Sequence, residues 1–505
     1  MVGRGSLGLS LTEMVFEVAD PRHPLCKLTA EDPAARGVYR VLDSDSDVVH
    51  STLTVLGPNE PSVRLAKELR DGGAYEHVEI LSVAPYAVVM KLARRVTPSD
   101  TTPEPPAPLE RLLEVFGSDT IFEPFFADHG RVRIRAVLAE PVDTKRALVK
   151  LQELQRAIRW QEFRVIRVAE FKATRYAESL RRVLEPEQED ILRLAVRLGY
   201  YESPKRCTLQ DIAKDVGLSV SPVHKKLKNV EQLLVTAHVD PAASRSTEAR
   251  RRARPAQIPT EIVAGALAEV TLRVVWPSLV FTEFSQRHPN SLVLLQPLSE
   301  DPAAGRGSAL LILVAAAADY RGFIEDLRKR PEIERMDFIS RDTDHVSLRV
   351  RWRSPTEAGL GAQPFPFLRP LGRLGRDVHV KPLMVEGGEA QLKAILTHPT
   401  STQELQTRLQ ELAKEASWKA WEMLSLRPVD ADPALAASPA DRMTIRQAEI
   451  LKIAHALGYY RTPRGCTLDE VARTLGISAN AIHKNLTAAE QKIVTAYLSG
   501  SLWQA

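Results

Sequence analysis

Two periodicities run through this chain. Residues 14–18, 51–56, 78–83, 87–92, 132–138 and 163–168 read as strands, apolar side chains falling on one face at period two. Apolar positions three and four apart predict helices over 61–70 and 144–160, the latter with Thr144 as N-cap. Strand, helix and strand over 132–168 form a ferredoxin-like half-motif. A second series follows the same order: strands at 270–274 and 309–314, a helix over 319–330, strands at 336–339 and 346–352. It ends with a strand at 392–396, a helix over 402–419 and a strand at 423–426.

The chain is written twice. Residues 188–237 and 447–496 share 23 identities over 50 gapless positions at a constant offset of 259. Composition alone gives about three such identities, so the segment is duplicated. Upstream the repeat is fainter: Arg135 to Leu138 answers Lys393 to Leu396, Thr144 answers Thr402, and Glu13 to Val18 answers Glu269 to Val274. The join, residues 241–259, is rich in Ala, Pro, Ser and Arg and reads as a linker.

The duplicated segment is helical, and its turn is informative. Thr208 caps a short helix through Leu209, Ile212, Ala213 and Val216, which Gly217 ends by adopting positive φ. A second helix begins at Ser219 or Ser221 and carries Val223, Leu227, Val230 and Leu234 on one face. That makes a helix-turn-helix. Burying this stripe turns Ser221, Pro222, Lys225 and Lys228 outward, with His224 at the edge. In copy two, Ile482, Leu486, Ala489 and Ile493 face inward, while Asn480, Ala481, Lys484 and Thr487 face out, with His483 equivalent to His224. The first turns of a recognition helix are those that reach base edges. There Asn pairs with adenine, Lys bonds guanine and small apolar groups meet the thymine methyl.

The pattern of Gln188, Ile191, Leu192, Gly199-Tyr200-Tyr201, Pro204, Thr208, Ala213, Gly217-Leu218-Ser219, His224 and Leu227 resembles the archaeal bacterio-opsin-activator-type helix-turn-helix. That domain is itself similar to region 4 of sigma factors, and its family usually places an α/β domain before it. The resemblance implies a transcription regulator. Two complete copies, with no separate sensor domain, depart from much of the family and leave the input signal open.

Charge adds little to this picture. The net +4 comes from 68 basic and 64 acidic side chains, so a nucleic-acid partner must be met by local patches. Residues 180–240 hold ten Lys and Arg against nine Asp and Glu. The local exception is Arg245, Arg250, Arg251, Arg252 and Arg254, opposed by Glu248 alone. Such a run is either solvated linker or an arm laid on phosphate or a minor groove. Hydrophobic residues at 44% and charged ones at 26% describe ordinary globular protein. The longest uncharged apolar run, residues 309–318, is about half a membrane span. With three cysteines and no signal-type leader, the expected compartment is the cytoplasm.

No catalytic constellation is legible, so the chain reads as a non-enzyme without cofactor. Cys207 with His224 and Cys466 with His483 give only two ligands each where structural zinc needs four, so both cysteines and Cys26 read as small hydrophobes. Gly305 and Gly307, like Gly372 and Gly375, lack the flanks of a phosphate loop. The carboxylates from Glu185 to Asp190 suit a helix start. The tyrosine pairs Tyr200-Tyr201 and Tyr459-Tyr460 read as plugs between helices rather than stacking platforms for bases.

The expected architecture is therefore α+β: two tandem copies of a ferredoxin-like α/β unit followed by a helix-turn-helix domain. Copy one divides into 8–100, 109–175 and 180–240, a basic linker spans 241–259, and copy two divides into 260–355, 365–428 and 440–500. The expected function is a cytoplasmic DNA-binding regulator whose two unlike helix-turn-helix units act as an intramolecular pseudo-dimer on double-stranded DNA. The rival is an adaptor whose degenerate units dock on the transcription machinery. A third reading adds a small-molecule effector held between ferredoxin-like pairs.

Overall fold

In a computed structural model of the chain, alternation along β1 (Thr12–Ala19) sends Met14, Phe16 and Val18 into one core. The structure describes residues 11–95, 112–171, 184–239, 268–353, 374–428 and 443–498, apart from short interruptions within those stretches. After β1 come α1 (Pro24–Glu31), β2 (Arg36–Ser44), β3 (Val48–Leu56), α2 (Asn59–Asp71), β4 (His77–Ala84) and β5 (Ala87–Arg95). The series closes with β6 (Thr120–Phe122), β7 (Phe125–Asp128), β8 (Arg131–Leu138), α3 (Thr144–Ile158) and β9 (Glu162–Glu170).

These strands make one antiparallel sheet in the order β4-β5-β3-β2-β7-β8-β1-β9, with β6 also on β8. Two split strand–helix–strand units are visible in it. β3 and β4, joined by α2, run parallel with β5 between them, and β8 and β9, joined by α3, run parallel with β1 between them. That is the ferredoxin-like arrangement. Residues 8–100 and 109–175 thus contribute to the same sheet, because β1 pairs Thr12 with Leu138 on one side and with Glu170 on the other. Leu65, Ala66 and Leu69 of α2 and Leu151 and Leu154 of α3 are buried in the same core as β1. Each such Leu adds about 1.5–3 kcal/mol.

The chain then forms α4 (Pro186–Arg197), α5 (Leu209–Val216) and α6 (Val220–Val239) before the α/β series returns. Copy two runs β10 (Ala268–Val275), α7 (Val280–Arg287), β11 (Leu292–Asp301), β12 (Arg306–Val314), α8 (Ala317–Arg328), β13 (Ile333–Arg341) and β14 (His345–Arg353). It continues with β15 (Val378–Val380), β16 (Leu383–Glu386), β17 (Glu389–Leu396), α9 (Thr402–Glu415) and β18 (Ala420–Pro428). Its sheet order, β13-β14-β12-β11-β16-β17-β10-β18, matches the first strand for strand, with β15 on β17 as β6 is on β8. Three helices close the chain: α10 (Ile445–Ala456), α11 (Leu468–Leu475) and α12 (Ala479–Leu498).

By contact the chain divides into two compact units, the α/β segments of both copies (Met1–Ala177 with Gln257–Ala431) and the helical segments of both copies (Glu178–Ala256 with Asp432–Ala505). Within the first unit parts of the sheet faces turned away from their helices are also buried. Leu294, Leu310 and Ile312 are fully covered, and Leu81 and Val89 of copy one cluster with Ile395 of copy two. The Arg40 guanidinium lies near enough to Glu269 of the other copy to feel its charge, while burial pulls its pKa down to about 10.

Four elements in each copy go beyond the strands and helices expected. α1 and α7 have eight residues each and no side-chain N-cap bond. β2 and β11 interrupt their apolar residues with Arg40 and Gln296. β6, β7, β15 and β16 are three or four residues long. α9 ends at Glu415 rather than Lys419, because Ser417 turns the chain at a φ of 56°.

Candidate nucleic-acid interface

The helix-turn-helix is built by its caps. The Thr208 hydroxyl accepts from the Asp211 N–H, and the Asp211 carboxylate accepts the Thr208 N–H at 2.7 Å, a reciprocal capping box. Hydrogen bonds from the Thr208 backbone and hydroxyl hold the Asp211 carboxyl below the ordinary carboxylate range. Thr467 and Glu470 repeat the arrangement in copy two. Gly217 and Gly476 end α5 and α11 at φ of 69° and 66°, in the left-handed region. The next N–H groups, of Leu218 and Ile477, return to the carbonyls of Ala213 and Ala472, and the chain enters the long second helix at once.

Both apolar stripes point inward. Val223, Leu227, Val230 and Leu234 of α6 and Ile482, Leu486, Ala489 and Ile493 of α12 are all buried. On the opposite side of α6, Ser221, Pro222, His224 and Lys225 are exposed; on α12, Asn480, His483 and Lys484 are exposed and Thr487 half-buried. Lys228 is different. Its ammonium lies 2.5 Å from the Glu231 carboxylate, one turn further along α6. Burial, the largest single effect, lowers its pKa, but the charge and hydrogen bond of Glu231 together with the Glu490 and Tyr200 charges outweigh it, and the net shift is upward. Lys226 is likewise engaged, with Glu187 at the start of α4. Leu218 and Val220, either side of Ser219 in the copy-one turn, are 39% exposed each.

The two copies share one hydrophobic core. α6 packs against α12, and α10 packs against α6, so that Leu234 and Val235 lie in the same cluster as Ile493 and Val494. His455 of α10 meets the Thr236 hydroxyl across the copies at 3.3 Å, and the Tyr497 hydroxyl accepts the Leu184 N–H at 3.3 Å. The tyrosine pairs are plugs, as their position after a helix-ending glycine suggested: the rings meet edge-on at 5.2 Å in each copy. Lys205 sits 3.7 Å over Tyr200, and Arg464 sits 4.5 Å over Tyr459.

Sequence reasoning missed what the second tyrosine of each pair does. Tyr201 donates to Glu231 at 3.3 Å and Tyr460 to Glu490 at 2.8 Å. Burial, with the carboxylate charges, drives both phenols well above their ordinary pKa. Burial first, and the Glu231 charge next, push Glu490 up to about 7. The signal was present: Tyr201, Glu231, Tyr460 and Glu490 are among the identities of the repeat.

Cys207 and Cys466 pack at the edge of the shared core, and Cys26 is buried in the first sheet domain, where burial pushes its thiol up to about 11. Among the described residues one group has metal-ligand spacing, Asp342, Asp344 and His345 in the exposed β13–β14 turn, and it contains none of these cysteines. The arginine run, Arg250, Arg251, Arg252 and Arg254, lies outside the described residues.

Residues 184–236 and 443–495 each match the family described as HTH DNA binding domain. The dimethyl sulfoxide reductase transcriptional activator of Halobacterium salinarum is 44% identical over 54 residues, 11% of this chain and 24% of its own length. The transcriptional regulator NarO of Haloferax volcanii is 38% identical over 58 residues, 12% of this chain and 28% of its own length. The chain thus spans about a quarter of the length of these relatives. With the duplicated sequence, the capped turns and the family match in agreement, the chain carries two tandem copies of the bacterio-opsin activator-type helix-turn-helix domain.

Proposed function

We propose that the protein is a DNA-binding transcription regulator, acting in the cytoplasm, in which the two helix-turn-helix segments form an intramolecular pseudo-dimer. The observation that carries this is the exposed first turns of α6 and α12, presented from helices that share one core. Ser221, His224 and Lys225 of copy one, and Asn480, His483, Lys484 and Thr487 of copy two, meet the major groove. Lys228, its ammonium paired with Glu231, stands at the end of that face. Arg250, Arg251, Arg252 and Arg254 lie along phosphates as a basic arm. The α/β units serve as scaffold or as the seat of an effector, and the reading assigns them no catalysis. The relatives named above as activator and regulator share the helix-turn-helix segment and so support the class. Among the described residues no helix is long and apolar enough to cross a membrane.

Binding to duplex DNA at stepped salt concentrations tests this directly. Counterion release requires affinity to fall linearly with salt on logarithmic axes. Binding that is absent, or indifferent to salt, refutes it. The exposed Leu218 and Val220 beside Pro222 favour a second reading for copy one, docking on a protein of the transcription machinery. A copy-one helix whose exposed polar residues can all be replaced without loss of DNA affinity would select that reading.

A further inference from the structure

Where α6 packs on α12, two glutamates from equivalent positions of the repeat approach one another. Glu231 is 5% exposed, and the charge of each carboxylate is felt in the other's surroundings: both act on Tyr201 and both on Tyr460. Their cations are not duplicated. Copy one supplies Lys228, 2.5 Å from Glu231, whereas the matching residue one turn before Glu490 is Thr487. Glu231 is buried and Glu490 half-buried, so two carboxylates share one close ammonium where α6 meets α12, leaving one negative charge in excess when both are ionised. Burying such a charge is costly, and a proton removes it.

Among the described residues, the charged and titratable groups acting on the pair come from α6, α12 and the two tyrosine corners. α6 brings Glu231 and Lys228, and α12 brings Glu490. The corner between α4 and α5 brings Tyr200 and Tyr201, and the corner between α10 and α11 brings Tyr459, Tyr460 and Arg464. Arg464 is exposed and spreads its charge over the Tyr459 ring, so water screens its help to Glu490. His455, bonded to Thr236, and His238 are the imidazoles nearby on α10 and α6.

We propose that the packed arrangement of the two helix-turn-helix segments holds a proton on Glu490, beside the Glu231 carboxylate, and that losing it as the medium turns alkaline loosens α6 from α12. The device rests on the pseudo-dimer reading, because its output is the spacing of the two recognition helices. The sign follows from linkage. The Glu490 carboxyl has a pKa near 7 when packed and an ordinary value of 4.5, so the packed state binds the proton more tightly. Its contribution is fully present below the ordinary value and is lost as pH rises through about 7.

Hydrogen exchange read by mass spectrometry on the full chain, without DNA, tests the proposal. At about pH 6 and about pH 8, after correction for intrinsic exchange, protection of α6 and α12 should fall about tenfold. E490Q imitates the protonated carboxyl and T487K supplies the missing ammonium; each should flatten the response. Parent protection that does not change with pH overturns the proposal. So does a tenfold fall retained in E490Q, which would pass the response to His455 or His238. If E490Q does not fold, T487K decides alone, and a retained fall overturns the proposal. Because no DNA is present, a negative result here leaves the DNA-binding reading standing, and that reading fails separately in the salt titration.

Discussion

At the scale of single residues, the turn of each helix-turn-helix depends on one backbone conformation. Gly217 and Gly476 sit at φ near 70°, and a Cβ added at either position would meet no neighbour within 4 Å. Gly217→Ala and Gly476→Ala therefore isolate conformational strain from packing. Each should destabilise its copy by about 1–2 kcal/mol, measured as local exchange protection across α5 or α11; no loss would show the turn relaxing to another geometry. The reading residues make a separate prediction. Asn480→Ala and Lys484→Ala should each weaken specific binding by about 1–3 kcal/mol, in fluorescence anisotropy with labelled operator duplex. Lys225→Ala should cost less, because Pro222 beside it narrows the copy-one face. Parent-like affinity in both copy-two variants would mean that α12 presents some other face.

At the scale of elements, the stripe of Val223, Leu227, Val230 and Leu234 and its copy-two partner were legible because a periodic helix has one way to hide them. The fate of Lys228 was not. Sequence spacing places its Cβ on the outward side, but whether a long side chain leans to solvent or back to Glu231 depends on a buried carboxylate that spacing does not reveal. The same limit explains β1: alternation marks Met14, Phe16 and Val18 as core, yet says nothing of β8 and β9 on either side. α1 and α7 escaped notice because neither helix carries a side-chain N-cap bond. A truncation tests the shared core. Leu227→Ala should cost about 2–5 kcal/mol, and protection should drop in α12 as well as α6. A loss confined to copy one would mean that the two helical segments stand independently.

For the whole molecule, the duplication matters more than either copy. The two faces proposed to read DNA differ between the copies: Ser221-Pro222 in copy one stands against Asn480-Ala481 in copy two. Covalent linkage raises the effective concentration of the second helix without adding contacts. Such a chain suits an asymmetric site with two unlike half-sites. The basic arm proposed between the copies belongs to this scale too. Replacing Arg250, Arg251, Arg252 and Arg254 with Ser should lower affinity for all sequences alike and flatten the salt slope by up to about four phosphate equivalents. An unchanged slope would make 241–259 a plain linker.

Hydroxyl-radical footprinting of the full chain at equal stoichiometry, on a site found by genome-wide occupancy mapping, separates a pseudo-dimer from its alternatives. One chain should protect two unlike half-sites whose centres lie about 34–36 Å apart, one turn of the duplex. A palindrome occupied by two chains, or a full footprint that survives scrambling the exposed residues of either α6 or α12, would contradict it.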